Sequence, residues 1–330
     1  MTSVQTIIDA NIGTIADVQY IGSGNDVSSS GRKGAGWAPW AIRQALDTQI
    51  EFDEPLTGIR TVDLVKFGWR DYHVDDCLRP LERLTKALDK VEHAVFDAFE
   101  TNRFPFMIGG NHSNTIGALR ALRRHVKNPA KTAIVVIDAH HDLRPDDSDY
   151  CSRHQISPLA HCCALREAVE AGFRVVQVGV RAYSREEKEF AAQHGVQVFY
   201  WQPADLNAFV YDGFVQPPII NILGKICGAD NVYLTIDVDG FDPSVMPATG
   251  TPVVGGLTWE YGLRLIAGIC MNFNLIGADI CEVAVPYRCF KTESNLIYLT
   301  DLPAAEYRTV INAAQLSYSI PTWAKAMKKI

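Results

Sequence analysis

The sequence predicts an α/β fold: a three-layer α-β-α arrangement around a mainly parallel sheet of about eight strands, in a single domain over residues 1–330. Three observations carry this. Short Val- and Ile-rich runs of strand length alternate with 3.6-period helical patterns along the chain. The runs are apolar throughout, as in strands of parallel sheets buried on both faces. Three of them end in clusters of polar, ligand-type residues, and the crevice beyond the strands' C-terminal ends is where sites lie in open parallel sheets.

In chain order, Ile15 to Ile21 is the first strand, followed by Gly22-Ser23-Gly24-Asn25-Asp26 and a Ser/Gly-rich loop through Gly36. Gly22-x-Gly24 lacks the third glycine of a dinucleotide fingerprint, which argues against a phosphate cradle. Pro39 lies near the first turn of a short helix, Ala41 to Asp47. Trp37 and Trp40 either line a pocket or anchor the loop on the core. Ile59 to Val65 is a second strand, and Leu78 to Asn102 carries a long amphipathic helical pattern. Phe104 to Ile108 is a third strand, ending in Gly109-Gly110-Asn111-His112-Ser113, where the paired glycines permit a tight turn and His112 opens a helical run through His125. The stretch Thr132 to Asp142, TAIVVIDAHHD, is the central strand. The polar, proline-bounded stretch from Leu143 to Pro158 is of a length that is functional or disordered in compact domains. It leads to a helix from Leu159 to Ala171 that contains His161. Arg174 to Val180 (strand), Arg185 to His194 (helix) and Val196 to Trp201 (strand) follow, then an irregular region rich in Pro and Asn. Asn231 to Pro243, NVYLTIDVDGFDP, repeats the design of the central strand. After the loop Thr249-Gly250-Thr251-Pro252 and Gly255-Gly256 come a helix from Glu260 to Cys270, a strand from Asn274 to Val283 with Glu282 at its end, and a closing helix from Leu302 to Gln315.

A net charge of -7 without any long basic run argues against nucleic acid or an anionic membrane as the main partner. No apolar run reaches membrane-spanning length, and no basic segment followed by an apolar core opens the chain, so a cytoplasmic enzyme is expected. The eight cysteines contain no C-x-x-C pair, several lie in apolar patterns, and they read as reduced core residues. The sequon Asn111-His112-Ser113 is then coincidental.

Asp138, His140 and Asp142 alternate after the central strand, so an extended chain would place all three side chains on one face. Asp237 and Asp239 share parity in the same way, and His112 adds a sixth ligand candidate from a third strand end. Four Asp and two His are too many for one ion that keeps an open position. They fit two divalent ions sharing carboxylates, an arrangement that lowers the pKa of a bridging water and yields hydroxide near neutral pH. Ligands of this mixed hardness suit manganese first, with nickel, cobalt or zinc also possible. A lone Asp-x-Asp after a strand is commonly a turn or helix cap. Asp237-x-Asp239-Gly240 also resembles an EF-hand opening, but Ala248 stands where the closing Glu would be. His141, of opposite parity to His140, reads as structural or as a partner of a ligand.

Together GGNHS, DAHHD, DVDGFDP and DICEVAVP, in this order, resemble the ureohydrolase superfamily of arginases, agmatinases and guanidino-acid hydrolases, over nearly the whole chain. HCCALREAVEAG resembles the family's helix after its proton-shuttle histidine, and TGTPVVGGL is agmatinase-like. The resemblance implies an arginase-like fold and assembly as a homotrimer or homohexamer. It also implies one metal on His112, Asp138, Asp142 and Asp237 and a second on His140, Asp138, Asp237 and Asp239. The bridging hydroxide would attack the central carbon of a guanidinium, with Asp142 accepting its hydrogen bond. His161 would protonate the departing amine, and Glu282 would pair with the guanidinium.

Two departures stand out. Asn111 occupies a position where most of the family has Asp, which bears on metal choice. The loop from Asp142 to His161 is longer than is usual in arginases and agmatinases, and it carries Arg144. That side chain either takes a substrate carboxylate bidentately, as formimidoylglutamases would, or pairs with Asp146, Asp147 or Asp149. The leading expectation is a hydrolase that splits a guanidino compound into urea and an amine. The alternatives are a formimino hydrolase, a hydrolase of guanidine, alkylguanidines or biguanides in a Trp-lined pocket, and a catalytically silent subunit of a hetero-oligomer. A deacetylase-like metal hydrolase shares the general fold but not the two-metal ligand set with Glu282.

Overall fold

A computed structural model describes residues 17–49, 53–54, 57–58, 67–72, 80–149, 156–201, 216–286, 290–291, 296–297 and 302–326. The strands are β1 (Val18–Ser23), β2 (Phe67–Tyr72), β3 (Phe104–Ile108), β4 (Thr132–Ile137), β5 (Arg174–Val180), β6 (Gln197–Tyr200), β7 (Asn231–Asp237) and β8 (Leu275–Cys281). They form one sheet in the order β2-β1-β3-β8-β7-β4-β5-β6, and every pairing in it is parallel. The expected α/β class with about eight strands is therefore observed. The strand expected at 59–65 lies outside the described residues. A two-residue antiparallel ladder, Phe290–Lys291 with Leu296–Ile297, stands apart from the sheet.

The helices are α1 (Ala38–Gln49), α2 (Pro80–Glu100), α3 (Asn114–His125), α4 (Ala164–Glu170), α5 (Arg185–Gln193), α6 (Ile219–Ile226), α7 (Trp259–Asn272) and α8 (Ala304–Ala326). Strand parity divides them between two layers. In β4, Ala133, Val135 and Ile137 join the core built with α1, α6, α7 and α8. Ile134 and Val136 face the core built with α2, α3 and α4. Helix α2 presents Leu84, Leu88, Val91 and Val95 to that core at alternating spacings of four and three. It lies close to α3 because Gly117 has no side chain: a Cβ there would stand 2.6 Å from the Leu88 carbonyl oxygen. Helix α5 starts at a capping box, in which Ser184 accepts from the Glu187 N–H while the Glu187 carboxylate accepts from the Ser184 N–H.

The helix expected from Leu159 to Ala171 begins as a 3-10 turn, His161–Cys163, that holds His161, and α4 starts only at Ala164. Two further helices differ from expectation for physical reasons. Helix α6 falls in the region read as irregular: it is a short apolar run after Pro217-Pro218, and only Ile222 and Ile226, four apart, are buried. Helix α8 runs eleven residues past Gln315 and contains Pro321. A proline inside a helix leaves the carbonyl four residues earlier without its amide partner. That carbonyl belongs to Ser317, and the buried Tyr20 hydroxyl of β1 donates to it at 2.7 Å. A tertiary contact thus repairs the local defect. Among the described residues, no helix is long and apolar enough to cross a membrane.

Candidate metal centre

The six ligand candidates and Glu282 follow the ends of four strands that are neighbours at the middle of the sheet, β3-β8-β7-β4. Register keeps those ends level: Ile108 pairs with Ile280, Ile236 with Ile137 and Asp237 with Cys281. The sheet therefore delivers the loops to one place.

The loops do not continue as extended chain; each turns at once. The first carboxylate of each pair accepts the backbone N–H two residues on: Asp138 Oδ1 from His140 at 2.6 Å and Asp237 Oδ1 from Asp239 at 2.9 Å. Such side-chain turns bring the alternate residues together more tightly than strand parity would. The two loops are tied where the Ala139 N–H donates to Asp239 Oδ1 at 3.1 Å. Asp142 and Glu282 adopt φ of 50° and 67°, left-handed values costly for non-glycine residues and found where a site fixes a side chain.

Gly109 and Gly110 serve close approach. A Cβ at Gly110 would lie 1.9 Å from the Asn25 carbonyl oxygen, and one at Gly109 would lie 2.6 Å from Cys281 Sγ. The His112 turn can consequently sit between the loop after β1 and the end of β8. Glu282 locks it there, accepting the His112 N–H at Oε1 (2.8 Å) while donating its own N–H to the Gly110 carbonyl (2.8 Å).

The side chains form two donor clusters that share Asp138: His112 with Asp138 and Asp237, and His140 with Asp138 and Asp239, the donor atoms of each lying within 4.8 Å of one another. His112 Nδ1 is 2.9 Å from Asp142 Oδ2, 3.1 Å from Asp138 Oδ2 and 3.7 Å from Asp237 Oδ2. His140 Nδ1 is 3.1 Å from Asp239 Oδ2. Asp138 Oδ2 is buried yet accepts no hydrogen bond, which suits an oxygen meant for a cation.

Electrostatics point the same way. Burial, with Asp138 beside it, raises the Asp142 carboxyl to about 7. Burial and the nearby Asp239 and Asp138 raise Asp237 well above the carboxylate range. Burial would also raise Asp138, but the imidazoles of His112 and His140 beside it hold it well below that range. These carboxylates cannot all ionise together in a dry pocket without added positive charge. Four Asp and two imidazoles therefore fit a pair of divalent cations, and Asp138, common to both clusters, could serve both.

Behind His112 lies a relay not read from the sequence. Thr235 donates its hydroxyl to Asp279 Oδ1 at 2.6 Å, so its oxygen is left to accept from His112 Nε2 at 3.0 Å. Tyr233 and Thr115 also donate to Asp279, at 2.9 and 3.2 Å. A proton is thereby kept on Nε2, and Nδ1 is the nitrogen turned toward the carboxylates, where it would hold an ion. Two signals were available: Thr235 has the parity of Asp237, and Asp279 is a carboxylate within an apolar strand. Thr235→Val is predicted to lower metal affinity about 10- to 100-fold with the fold retained. Calorimetric metal titration checks this; an unchanged affinity would remove the relay's role.

Arg181 was also missed. Its buried guanidinium donates to the carbonyls of Asp239 (2.6 Å) and Val253 (2.6 Å), joining the Asp239 loop to the TGTPVVGGL loop. From that second loop the Thr251 hydroxyl donates to Asp239 Oδ2 at 3.2 Å.

A cavity of about 310 Å³ opens over the clusters, walled among others by His140, Asp142, Asp237, Glu282, His161 and Arg144. Burial raises Glu282 to about 8 despite the His112 N–H it accepts. Burial likewise lowers His161 to about 4, so its ring is neutral at pH 7, below the near-neutral titration expected from an unperturbed imidazole. Arg144 is paired with Asp149 and lies 3.8 Å from Glu187. His141 turns away from the clusters: Nδ1 meets Gln177 Oε1 at 2.6 Å and Nε2 meets the Tyr200 hydroxyl at 3.3 Å. Trp37 and Trp40 stack on each other and pack on the core. Among the described lining residues of the cavity the aromatic one is Tyr183, and none is tryptophan. Cys162, Cys163, Cys227, Cys270 and Cys281 are free thiols; Cys77, Cys151 and Cys289 lie outside the described residues.

A parallel α/β sheet whose central strand ends gather four Asp and two His under one cavity defines a protein built for a binuclear metal centre. Residues 16–300 match the sequence profile of the Arginase family. The chain is 30% identical over 262 residues to an N(1)-aminopropylagmatine ureohydrolase from Synechocystis sp., covering 78% of each protein. It is 30% identical over 277 residues to a guanidinobutyrase from Pseudomonas aeruginosa, covering 82% of this chain and 80% of that one. The solved structure of an agmatine ureohydrolase from Thermoplasma volcanium superposes with a TM-score of 0.74 at 25% identity, over 99% of this chain and 96% of the other. The chain belongs to the Arginase family.

Proposed function

We propose that this protein hydrolyses the C–N bond of a guanidino compound, releasing urea and an amine, at a centre of two divalent ions. The observation that carries the reading is the convergence of His112, Asp138, His140, Asp142, Asp237 and Asp239 beneath a cavity that also holds a buried carboxylate, Glu282, and an imidazole, His161. His112, Asp138, Asp142 and Asp237 would hold one ion, and His140, Asp138, Asp237 and Asp239 the other. The ions, when bound, supply a nucleophile of hydroxide strength near neutral pH. The protein's residues do the rest. Glu282 pairs with the guanidinium, whose positive charge lets that buried carboxyl ionise. Asp142 accepts the hydrogen bond of the attacking water. His161, neutral at rest, takes up a proton during the reaction and passes it to the amine. The oxygen- and imidazole-rich donor set favours manganese, with nickel second.

Arg144 favours a second reading within the same chemistry. Its guanidinium lines the cavity, so a substrate ending in a carboxylate, a guanidino acid or formiminoglutamate, would exchange for Asp149. Arg144→Ala is then expected to raise KM about tenfold for 4-guanidinobutyrate, the loss of one charge-assisted pair, and to leave agmatine unaffected. Equal effects on both would sink this assignment.

The test of the proposal is urea and ammonia release by manganese-loaded and nickel-loaded protein. The panel is arginine, agmatine, 4-guanidinobutyrate, 3-guanidinopropionate, formiminoglutamate, guanidine and alkylated biguanides. Urea from a guanidino member establishes the class, and the better metal is read from the same data. No release from any member, with two ions bound per chain, would overturn the reading in favour of a silent subunit.

A further inference from the structure

The Ser-rich loop after β1 folds against His161, and its serines make contacts that neither the metal clusters nor core packing requires. The buried Ser28 oxygen accepts two hydrogen bonds, from Asn111 Nδ2 at 2.9 Å and from the His161 backbone N–H at 3.2 Å. Asn111 is itself fixed, because its Oδ1 accepts from the Ser113 hydroxyl at 2.5 Å. Two residues on, Ser30 Oγ lies 3.1 Å from His161 Nε2 and forms part of the cavity wall. The loop is pinned on both sides of Ser30. Asn111 donates its N–H to the Asn25 carbonyl at 2.9 Å, the Gly34 N–H donates to Asp26 Oδ2 at 2.8 Å, and the Arg32 N–H donates to the Gly250 carbonyl at 3.0 Å. The hydroxyl thus sits at a defined place between the ring nitrogen and the cavity.

We propose that Ser30 relays the proton from His161 to the departing amine, and that Ser28, held by Asn111, positions His161 for the transfer. This rests on the guanidino-hydrolase reading of the site. One water is consumed; its oxygen ends in urea and its two protons end on the amine. One of those protons is taken up at His161 Nε2. It moves to Ser30 Oγ as Ser30's own hydroxyl proton moves to the leaving nitrogen, whose lone pair becomes available as the C–N bond lengthens. His161 returns to neutral and Ser30 regains its hydroxyl, so both are ready for the next turnover. A hydroxyl can do this because it donates and accepts at once. The Asn111 amide matters for the same reason: it supplies Ser28 with a donor, whereas an unprotonated aspartate in its place has none.

The experiment compares manganese-loaded wild type, Ser30→Ala, Ser30→Thr and Ser29→Ala. It measures metal content, urea release from agmatine and 4-guanidinobutyrate, and the nitrogen resonances of 15N-labelled histidine. Ser30→Ala is expected to lower kcat about 10- to 100-fold, the low end of a general-acid contribution, with KM and metal content within about twofold. Ser30→Thr, which keeps the hydroxyl, should recover kcat to within about threefold, and Ser29→Ala should match wild type. The His161 Nε2 resonance should move in Ser30→Ala and stay in Ser29→Ala. An unchanged kcat in Ser30→Ala, a threonine variant as slow as alanine, or an unmoved resonance would overturn the relay while leaving the parent reading intact. Wild type that releases urea from neither substrate would instead overturn the parent reading, and the relay with it.

Discussion

Asp138→Ala is expected to abolish binding of both metal ions together and to lower urea release by a factor on the order of 10³ or more, the several kcal/mol that a metal centre contributes to such a reaction. The prediction follows from position. Asp138 belongs to both donor clusters, and its Oδ1 also receives the N–H of His140, so its loss removes a donor common to both clusters and the turn that aims another. Asp237→Ala should behave alike. Neither variant should unfold the chain, because each removes one carboxylate from a buried, acid-rich group. Metal content by elemental analysis, urea release and thermal unfolding form the measurement. Hydrolysis that persists in Asp138→Ala would contradict the binuclear proposal.

His161→Ala separates chemistry from assembly. His161 is absent from both donor clusters, so metal content should match wild type while kcat falls about 10²- to 10⁴-fold, the range for loss of a positioned acid–base group. KM should stay near its wild-type value, since substrate is held elsewhere in the cavity. Added imidazole should return part of the rate. A variant that turns over normally would assign proton transfer to another group, and one that loses metal would give His161 a structural role.

Much of the fold was legible because it rests on local rules. β4, β5 and β7 are apolar runs with clear edges, and α5 carries its capping box in Ser184 and Glu187. The features that were not legible depend on distant partners. Nothing near Pro321 announces that Tyr20 will satisfy the carbonyl of Ser317, 297 positions away from it. The six ligand types could be picked out because Asp and His at the ends of apolar strands are conspicuous. How they converge could not: Asp138 and Asp237 form side-chain turns where parity alone suggests extended chain, and Asp142 takes a left-handed φ instead of continuing the strand. Thr235 and Asp279 carried signals in parity and in charge, but their tie to His112 runs across three strands and shows only in the fold. The Arg144 pairing with Asp149 was among the alternatives from the start, while the Trp37–Trp40 pair was resolved only by seeing it stacked on the core.

The order of strands in the sheet has a consequence for how the protein is made. β3 and β4 follow one another in the chain, yet β8 and β7 lie between them, and the Glu282 contact that fixes His112 spans 170 positions. As the chain emerges during synthesis, the proposed early ligands His112, Asp138, His140 and Asp142 appear long before the strands that must wedge between their own. Contacts of such long range form late and slowly. A nascent chain therefore offers a passing ion only scattered imidazoles and carboxylates. On the proposed binuclear reading, high-affinity capture would wait for β7 and β8 to insert, and metal uptake would stabilise the completed sheet over every partly assembled one.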